Sequence, residues 1–187
     1  MSSPGYDKIY ADLLEEQGAL QENLAPVDSW NPPYSGEIDI LIARDGSWYH
    51  EGSVIAREAI VNLFARILKR EGDDYFLVTP VEKWRVTVED APLYVVALEK
   101  QNREDQQALL LSTKTGDKVL AGVDHPLRVE INPLSGEPSP YILVRNGLEA
   151  LISRPVYYEL ANLAEPVLVD GVEVYGVSSM GVFFPLT

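Results

Sequence analysis

The sequence RDGSWYHEGSVIAREAIVNLFA occupies residues 44–65, and a similar pattern, RNGLEALISRPVYYELANLA, occupies residues 145–164. Each stretch starts with a tight-turn signal, continues as a short strand, and passes through a serine into apolar residues at helical spacing. Both stretches therefore predict strand, turn, strand and helix, in that order. A unit that occurs twice predicts two similar subdomains, and the seam between such copies is a common place for a ligand or a partner.

The rest of the chain predicts a further helix and many short strands. Apolar residues recur at helical spacing from Tyr6 to Leu24, and a proline-rich linker follows. Strands and helices do not alternate one for one, so we expect an α+β fold. It would hold an N-terminal helix and two structurally similar subdomains, each combining the strand-turn-strand-helix motif with additional antiparallel strands. The predicted divisions are residues 1–36 for the helix and linker, 37–112 for the first repeat and 113–187 for the second.

The composition excludes several classes of function. The chain has 187 residues, a formal net charge of -14 and no cysteine. An acidic surface repels phosphate backbones and anionic lipid, so we expect neither nucleic-acid binding nor membrane association. Without cysteine, the chain has no disulfide, thiolate metal site or cysteine nucleophile.

Targeting and cofactor signals are also missing from the sequence. The N-terminus lacks the basic and apolar regions of a signal peptide, and no apolar run reaches the length of a membrane span, so we expect a cytoplasmic protein. The two histidines do not stand in a zinc-binding spacing, and we predict no metal site. No serine-hydrolase or phosphate-loop motif is present, and we predict no cofactor.

The first candidate site is the strand entry from Thr79 to Arg85. Lys83 and Arg85 flank Trp84, and in a regular strand they point away from the face that carries the indole. The basic pair could bind an anion together with Thr79 and backbone donors. The alternative interpretation is a buried Trp84 whose charged neighbours are solvated and paired internally to Glu82.

The second candidate site precedes the helix of the first repeat. Trp48 and Tyr49 offer aromatic surfaces on which a ligand could stack, and His50 could exchange a proton near neutral pH. The alternative interpretation is a packed edge strand. Taken together, the predicted ligand-binding residues are Trp48, Tyr49, His50, Thr79, Lys83, Trp84 and Arg85.

Several motifs between residues 33 and 88 resemble a bacterial family catalogued as domain of unknown function 1285. They are Pro33-Tyr34-Ser35-Gly36 with Ile38-Asp39, Asp45-Gly46-Ser47-Trp48 with Gly52, Arg57-Glu58, and Thr79-Pro80-Val81-Glu82-Lys83-Trp84. A weaker likeness extends to the C-terminus. The resemblance implies a cytoplasmic α/β protein of two repeated subdomains with a role in signal transduction or ligand sensing. It implies no established activity and no catalytic residue.

Three functions follow as expectations. The first is a non-enzymatic module that binds a small anionic ligand or a protein partner in signalling or regulation. The second is an enzyme of unknown reaction with His50 or a carboxylate as general base. The third is an interaction subunit whose acidic C-terminal part, which has no Lys or Arg after Arg154, meets a basic partner.

Overall fold

The computed structural model describes residues 4–15 and 25–187, which form two compact units, Met1–Asp90 and Ala91–Thr187. The sequence prediction placed the corresponding division between residues 112 and 113. No helix of the described ranges combines the length and the apolar character that a membrane span requires.

The first unit is built on one six-stranded sheet. Its elements are α1 (Pro4–Glu15), a 3₁₀ turn (Val27–Ser29), β1 (Tyr34–Ile42), β2 (Trp48–His50), β3 (Ser53–Val54), α2 (Glu58–Arg66), β4 (Leu68–Glu71), β5 (Asp74–Val78) and β6 (Lys83–Val88). The strand order is β3-β2-β1-β6-β5-β4. Neighbouring strands are antiparallel except β1 and β6, which run parallel and join two meanders into one sheet.

Two helices cover one face of this sheet, here called the inner face. Alternate residues of β1, namely Ile38, Ile40 and Ile42, are buried, as period-two alternation requires for a strand with one covered face. The Phe64 side chain of α2 is fully buried, and its ring lies 6.4 Å from that of Trp48. The Tyr6 ring of α1 packs edge-on against the Phe64 ring, and the two ring centroids are 5.5 Å apart.

The predicted first helix is observed over its N-terminal part. Ile9 and Leu13 of α1 are buried, in agreement with their helical spacing. Residues 16–24 of that prediction lie outside the described residues.

The second unit contains another six-stranded sheet and a separate three-stranded sheet. Its elements are β7 (Leu93–Arg103), β8 (Gln106–Thr113), β9 (Lys118–Leu120), β10 (Leu127–Ile131), β11 (Pro138–Arg145), β12 (Leu148–Ile152), α3 (Arg154–Asn162), β13 (Glu165–Val169), β14 (Val172–Ser179) and β15 (Val182–Pro185). The six-stranded order is β10-β11-β12-β7-β8-β9, with β7 and β12 parallel. Strands β13, β14 and β15 form an antiparallel meander of their own.

Both six-stranded sheets therefore have the same connectivity. In each one, two consecutive three-stranded meanders are joined where the first strand lies parallel to the sixth. The helices occupy different places, since α2 connects the two meanders of the first unit, whereas α3 follows the completed sheet of the second.

The predicted α+β fold with a repeated strand-turn-strand-helix motif is wrong. The residues that the structure describes are mostly β, with 50% in strands and 17% in helices. The two stretches at residues 44–65 and 145–164 are not equivalent parts of the sheets, because the first contains the opening strands β2 and β3, and the second the closing strand β12. The shared feature is the strand order, and no helix belongs to it.

The two turns that suggested the repeat also differ in geometry. Asn146 and Gly147 both have positive φ, 46° and 74°, which is the geometry of a two-residue hairpin turn. In the first copy only Gly46 has positive φ, and the Asp45 carboxylate accepts a hydrogen bond from the Ser47 N–H at 2.9 Å. The likeness is local, because Asp-Gly and Asn-Gly are each common solutions to reversing a strand.

Candidate functional site

The predicted site residues all lie in the first unit, and β6 separates them onto two faces of its sheet. Successive side chains of a strand point to opposite faces. On the outer face, which is the side opposite the helices, Lys83 contacts Glu71 and the Phe76 ring, and Arg85 contacts Glu37. On the inner face, Trp84 contacts α1. The geometry therefore divides the strand-entry candidate into two separate surfaces.

The basic residues on the outer face are paired within the chain. Lys83 Nζ lies 2.8 Å from Glu71 Oε2 and 5.0 Å from the centre of the Phe76 ring. Arg85 forms ion pairs with Glu37 and with Asp74, the latter at 3.6 Å. Each cation is therefore already opposed by a carboxylate, which weakens the attraction of this surface for an anion.

Glu71 is the carboxylate most affected by this arrangement. The hydrogen bond from Lys83 lowers the pKa of Glu71 below its usual value of 4.5, and the charges of Lys83 and Lys69 act in the same direction. Partial burial opposes the shift but does not reverse it. The charged form of Glu71 is thus favoured in the folded state.

We expect the Glu71→Gln variant to lose stability in a pH-dependent way. A carboxylate whose folded-state pKa is depressed stabilises the fold above its unfolded pKa, and the stabilisation is lost as the pH falls through the folded pKa. The difference in unfolding free energy between wild type and variant should therefore be constant well above pH 4.5, the usual pKa of this carboxyl, and should shrink as the pH falls below 4.5 through the depressed folded-state pKa. Urea unfolding from pH 3 to 7 measures it, with the exposed Glu159→Gln as control. A difference that grows on acidification would contradict this assignment.

On the inner face, the Trp84 indole lies against two glycines. A Cβ atom on Gly5 of α1 would approach the ring at 3.2 Å, and one on Gly36 of β1 would approach it at 3.4 Å. Gly36 also has φ +128°, a conformation that side-chain-bearing residues rarely adopt. The two glycines therefore allow α1 and β1 to approach the indole closely. The Trp84 Nε1 atom is buried and has no hydrogen-bond partner among residues 4–15 and 25–187.

Glu82 precedes β6 and contacts the same helix. The residue is only 7% exposed, and its Oε1 pairs with Nζ of Lys8 on α1. The second oxygen, Oε2, is buried and accepts no hydrogen bond from any described residue. A buried carboxylate oxygen and a buried indole N–H thus lie beneath α1, one an acceptor and the other a donor.

Thr79 serves the local backbone. The residue is buried, and its hydroxyl oxygen accepts hydrogen bonds from the N–H groups of Glu82 at 3.0 Å and Val81 at 3.4 Å. These bonds fix the turn that delivers Glu82 to the inner face.

The aromatic candidates on β2 have different environments. Trp48 is 2% exposed and belongs to the core with Phe64. Tyr49 is half-buried on the strand, opposite Leu41 and Val54. The His50 ring is stacked on Tyr6 with centroids 4.0 Å apart. Burial is the main reason that the pKa of Tyr6 is raised, and nearby Tyr10 and Asp7 add to it.

Helix α1 contacts three residues that lie far from it in the sequence. Its Gly5, Tyr6 and Lys8 contact Trp84, His50 and Glu82, respectively. Sequence reasoning singled out Trp84 and His50 but missed Glu82 and the three α1 residues. The buried spacing of Ile9 and Leu13 signalled a packed helix, but the surface on which the helix packs depends on contacts distant in sequence.

Other polar groups of the described residues offer no competing site. The His125 ring nitrogen Nδ1 lies 3.0 Å from the carbonyl oxygen of Leu143 on β11. Within the described ranges, no group of three or more His, Asp or Glu side chains is arranged to hold a metal ion.

Both halves of the chain match family models. Residues 25–91 match the model described as domain of unknown function (DUF1285), N-terminal domain. Residues 92–186 match the model described as protein of unknown function (DUF1285), C-terminal domain. No curated protein shows a significant match.

Two solved structures are similar to this chain. A DUF1285 family protein from Silicibacter pomeroyi DSS-3 is 47% identical, with 93% of each chain covered and a TM-score of 0.82. A DUF1285 family protein from Shewanella baltica OS155 is 32% identical over 67% of this chain and 91% of that one, with a TM-score of 0.53.

Proposed function

This chain belongs to the DUF1285 family, and we propose that it is a non-enzymatic module that binds a small ligand between α1 and β6. The descriptions of the two family models name no activity, so the proposal is argued from the chain's own site. The ligand contacts Glu82 and Trp84, and binding serves signal transduction or regulation. The resemblance that suggested ligand sensing and the geometry beneath α1 both support this proposal.

The observation that carries the proposal is a pair of buried polar atoms that find no hydrogen-bond partner in the part of the chain that the structure describes. Buried polar groups in proteins nearly always have a hydrogen-bond partner, because an unpaired group costs about 1–3 kcal/mol. Here two such atoms, Glu82 Oε2 and Trp84 Nε1, lie beneath one helix. A ligand that donates to the first atom and accepts from the second removes both costs.

These two atoms also define the class of ligand. The carboxylate oxygen needs a donor and the indole N–H needs an acceptor. A hydroxyl group or a primary amide supplies both functions from one small group. An anion supplies only the acceptor and would lie near the Glu82 charge, so a neutral hydroxyl- or amide-bearing compound fits this surface better than the anionic ligand predicted from Lys83 and Arg85.

The regulatory part of the proposal rests on how α1 is held. The helix contacts the inner face through Lys8, Tyr6 and Gly5, and the Lys8 side chain is 58% exposed. A ligand that occupies Glu82 Oε2 adds a link between the sheet and the helix. Binding therefore shifts the equilibrium toward docked α1, and a change in α1 docking is a signal that another protein can detect.

We expect a hydroxyl- or amide-bearing compound to bind the protein and to shift the NMR signal of the Trp84 indole N–H. A panel of such compounds, with phosphate and small carboxylic acids as the anionic arm, is screened by thermal shift, since a ligand that binds the folded state raises the Tm. Each hit is then titrated by ¹H–¹⁵N NMR. The chain has three tryptophans, and the Trp84→Phe variant assigns the signal.

Matched variants decide between the two faces of β6. Trp84→Phe and Glu82→Gln should each weaken binding by about tenfold, because the first removes the indole donor and the second, with its amide oxygen kept opposite Lys8, replaces the acceptor Oε2 with an NH₂ donor. Lys83→Ala and Arg85→Ala change the outer face and should leave the affinity unchanged. Binding that depends on Lys83 and Arg85 but is indifferent to Glu82 would overturn the proposal and favour an anion site on the outer face.

A further inference from the structure

The strand β13 exposes an unusual amount of apolar surface. All five of its residues, Glu165–Val169, are exposed, although three in a row are aliphatic. Leu168 is 74% exposed, and Val172 and Tyr175 on the adjoining strand β14 are 64% and 49% exposed. Apolar side chains that lie together on a surface usually mark an interaction site.

The same strand is the edge of its sheet. Among the described residues, β13 pairs with β14 and with no other strand. Its pairing register places Leu168 opposite Glu173, and Pro166 opposite Tyr175, so the two faces of the hairpin carry different apolar residues. An edge strand presents unpaired backbone groups that can accept a further strand.

A second copy of this chain is a poor occupant of the edge. Glu165, Asp170 and Glu173 surround the aliphatic residues with negative charge. The chain has no Lys or Arg after Arg154, so pairing two such edges would bring like charges together without a compensating cation. The charge that opposes self-association attracts a basic segment.

We propose that β13 docks an extended segment of another protein in which apolar residues alternate with Lys or Arg. The segment adds a strand to the β13–β15 sheet through backbone hydrogen bonds. Its apolar side chains cover Leu168 and Tyr175 on one face of the hairpin, and its basic side chains meet Glu165 on the other face and Asp170 in the adjoining turn. This surface is independent of the ligand site beneath α1, which lies in the other unit.

The test uses a capped peptide of alternating lysine and valine, with one of alternating glutamate and valine as its charge-reversed partner. Fluorescence anisotropy measures binding to the full chain at low and high salt. Leu168→Thr removes exposed apolar surface from β13, and Leu134→Thr does the same at a loop residue that is 96% exposed. Because both positions are exposed, neither variant should change the Tm, and circular dichroism verifies this.

We expect the lysine peptide to bind at low salt, and to bind at least about tenfold more tightly than the glutamate peptide. Leu168→Thr should weaken that binding by about tenfold while Leu134→Thr leaves it unchanged. Hydrogen exchange of the β13 amides should slow in the complex, because strand addition covers them. Absence of binding, equal binding of both peptides, or equal effects of the two variants would overturn the proposal. So would a concentration-dependent dimer that Leu168→Thr dissociates, since the occupant would then be a second copy.

Discussion

Replacing Trp48 with alanine is expected to lower the free energy of unfolding by about 3–5 kcal/mol. The indole is 2% exposed and packs on Phe64, so its removal takes away buried apolar surface and leaves a cavity between β2 and α2. Urea unfolding followed by circular dichroism measures the change. This readout avoids tryptophan fluorescence, which the substitution itself alters.

The matched control is Tyr34→Ala in the same unit. Tyr34 is 55% exposed and makes one edge-on aromatic contact with Phe76, at 6.4 Å, so we expect a loss of about 1 kcal/mol or less. Equal losses for the two substitutions would contradict the placement of Trp48 in the core. They would also reopen the interpretation of Trp48 as a stacking surface for a ligand.

Replacing Asp117 with alanine is expected to destabilise the second unit by about 3–5 kcal/mol. Asp117 Oδ1 lies 3.1 Å from Arg145 Nε, and the two side chains are only 12% and 11% exposed. Its other oxygen accepts hydrogen bonds from the hydroxyls of Thr113 and Thr115 at 3.0 and 3.1 Å. The substitution removes one partner of a part-buried ion pair and the acceptor of two hydroxyl hydrogen bonds, so Arg145 keeps most of its desolvation cost without the compensating charge.

Glu130→Ala provides the comparison within the same unit. Glu130 also pairs with an arginine, Arg128, but the two side chains are 63% and 44% exposed. An exposed ion pair contributes about 0–1 kcal/mol, because water and salt screen it. Thermal or urea unfolding of both variants in parallel separates the two cases. If Asp117→Ala cost no more than Glu130→Ala, the network at Asp117 would be a surface feature and the assignment would fail.

Sequence reasoning predicted the local elements of this protein well. The helix over Glu58–Arg66 and the Asn146-Gly147 hairpin both depend on residues close together in the chain. Apolar spacing and turn chemistry report such short-range preferences directly. The strand pairing was not predicted, because the parallel pairs β1–β6 and β7–β12 join residues far apart and leave no local signature.

The candidate site shows the same limit. The alternation along β6 correctly indicated that Lys83 and Arg85 would lie on the face opposite Trp84. The partners of those side chains could not be read from the sequence, since Glu71, Glu37 and Asp74 come from three other places in the chain. Trp48 was assigned to a ligand surface because an aromatic residue suits a core as well as a binding site, and only packing distinguishes the two.

The pairing of first and sixth strands has a consequence for how the chain acquires its structure during synthesis. Neither six-stranded sheet can be completed until its last strand has left the ribosome, so both sheets must wait for a long-range contact that is slow to form. All strands of the first sheet nevertheless lie within residues 34–88, ahead of the second unit. The N-terminal unit can therefore finish folding while its companion is still being translated, which limits the time in which unpaired strands of the two units could associate wrongly.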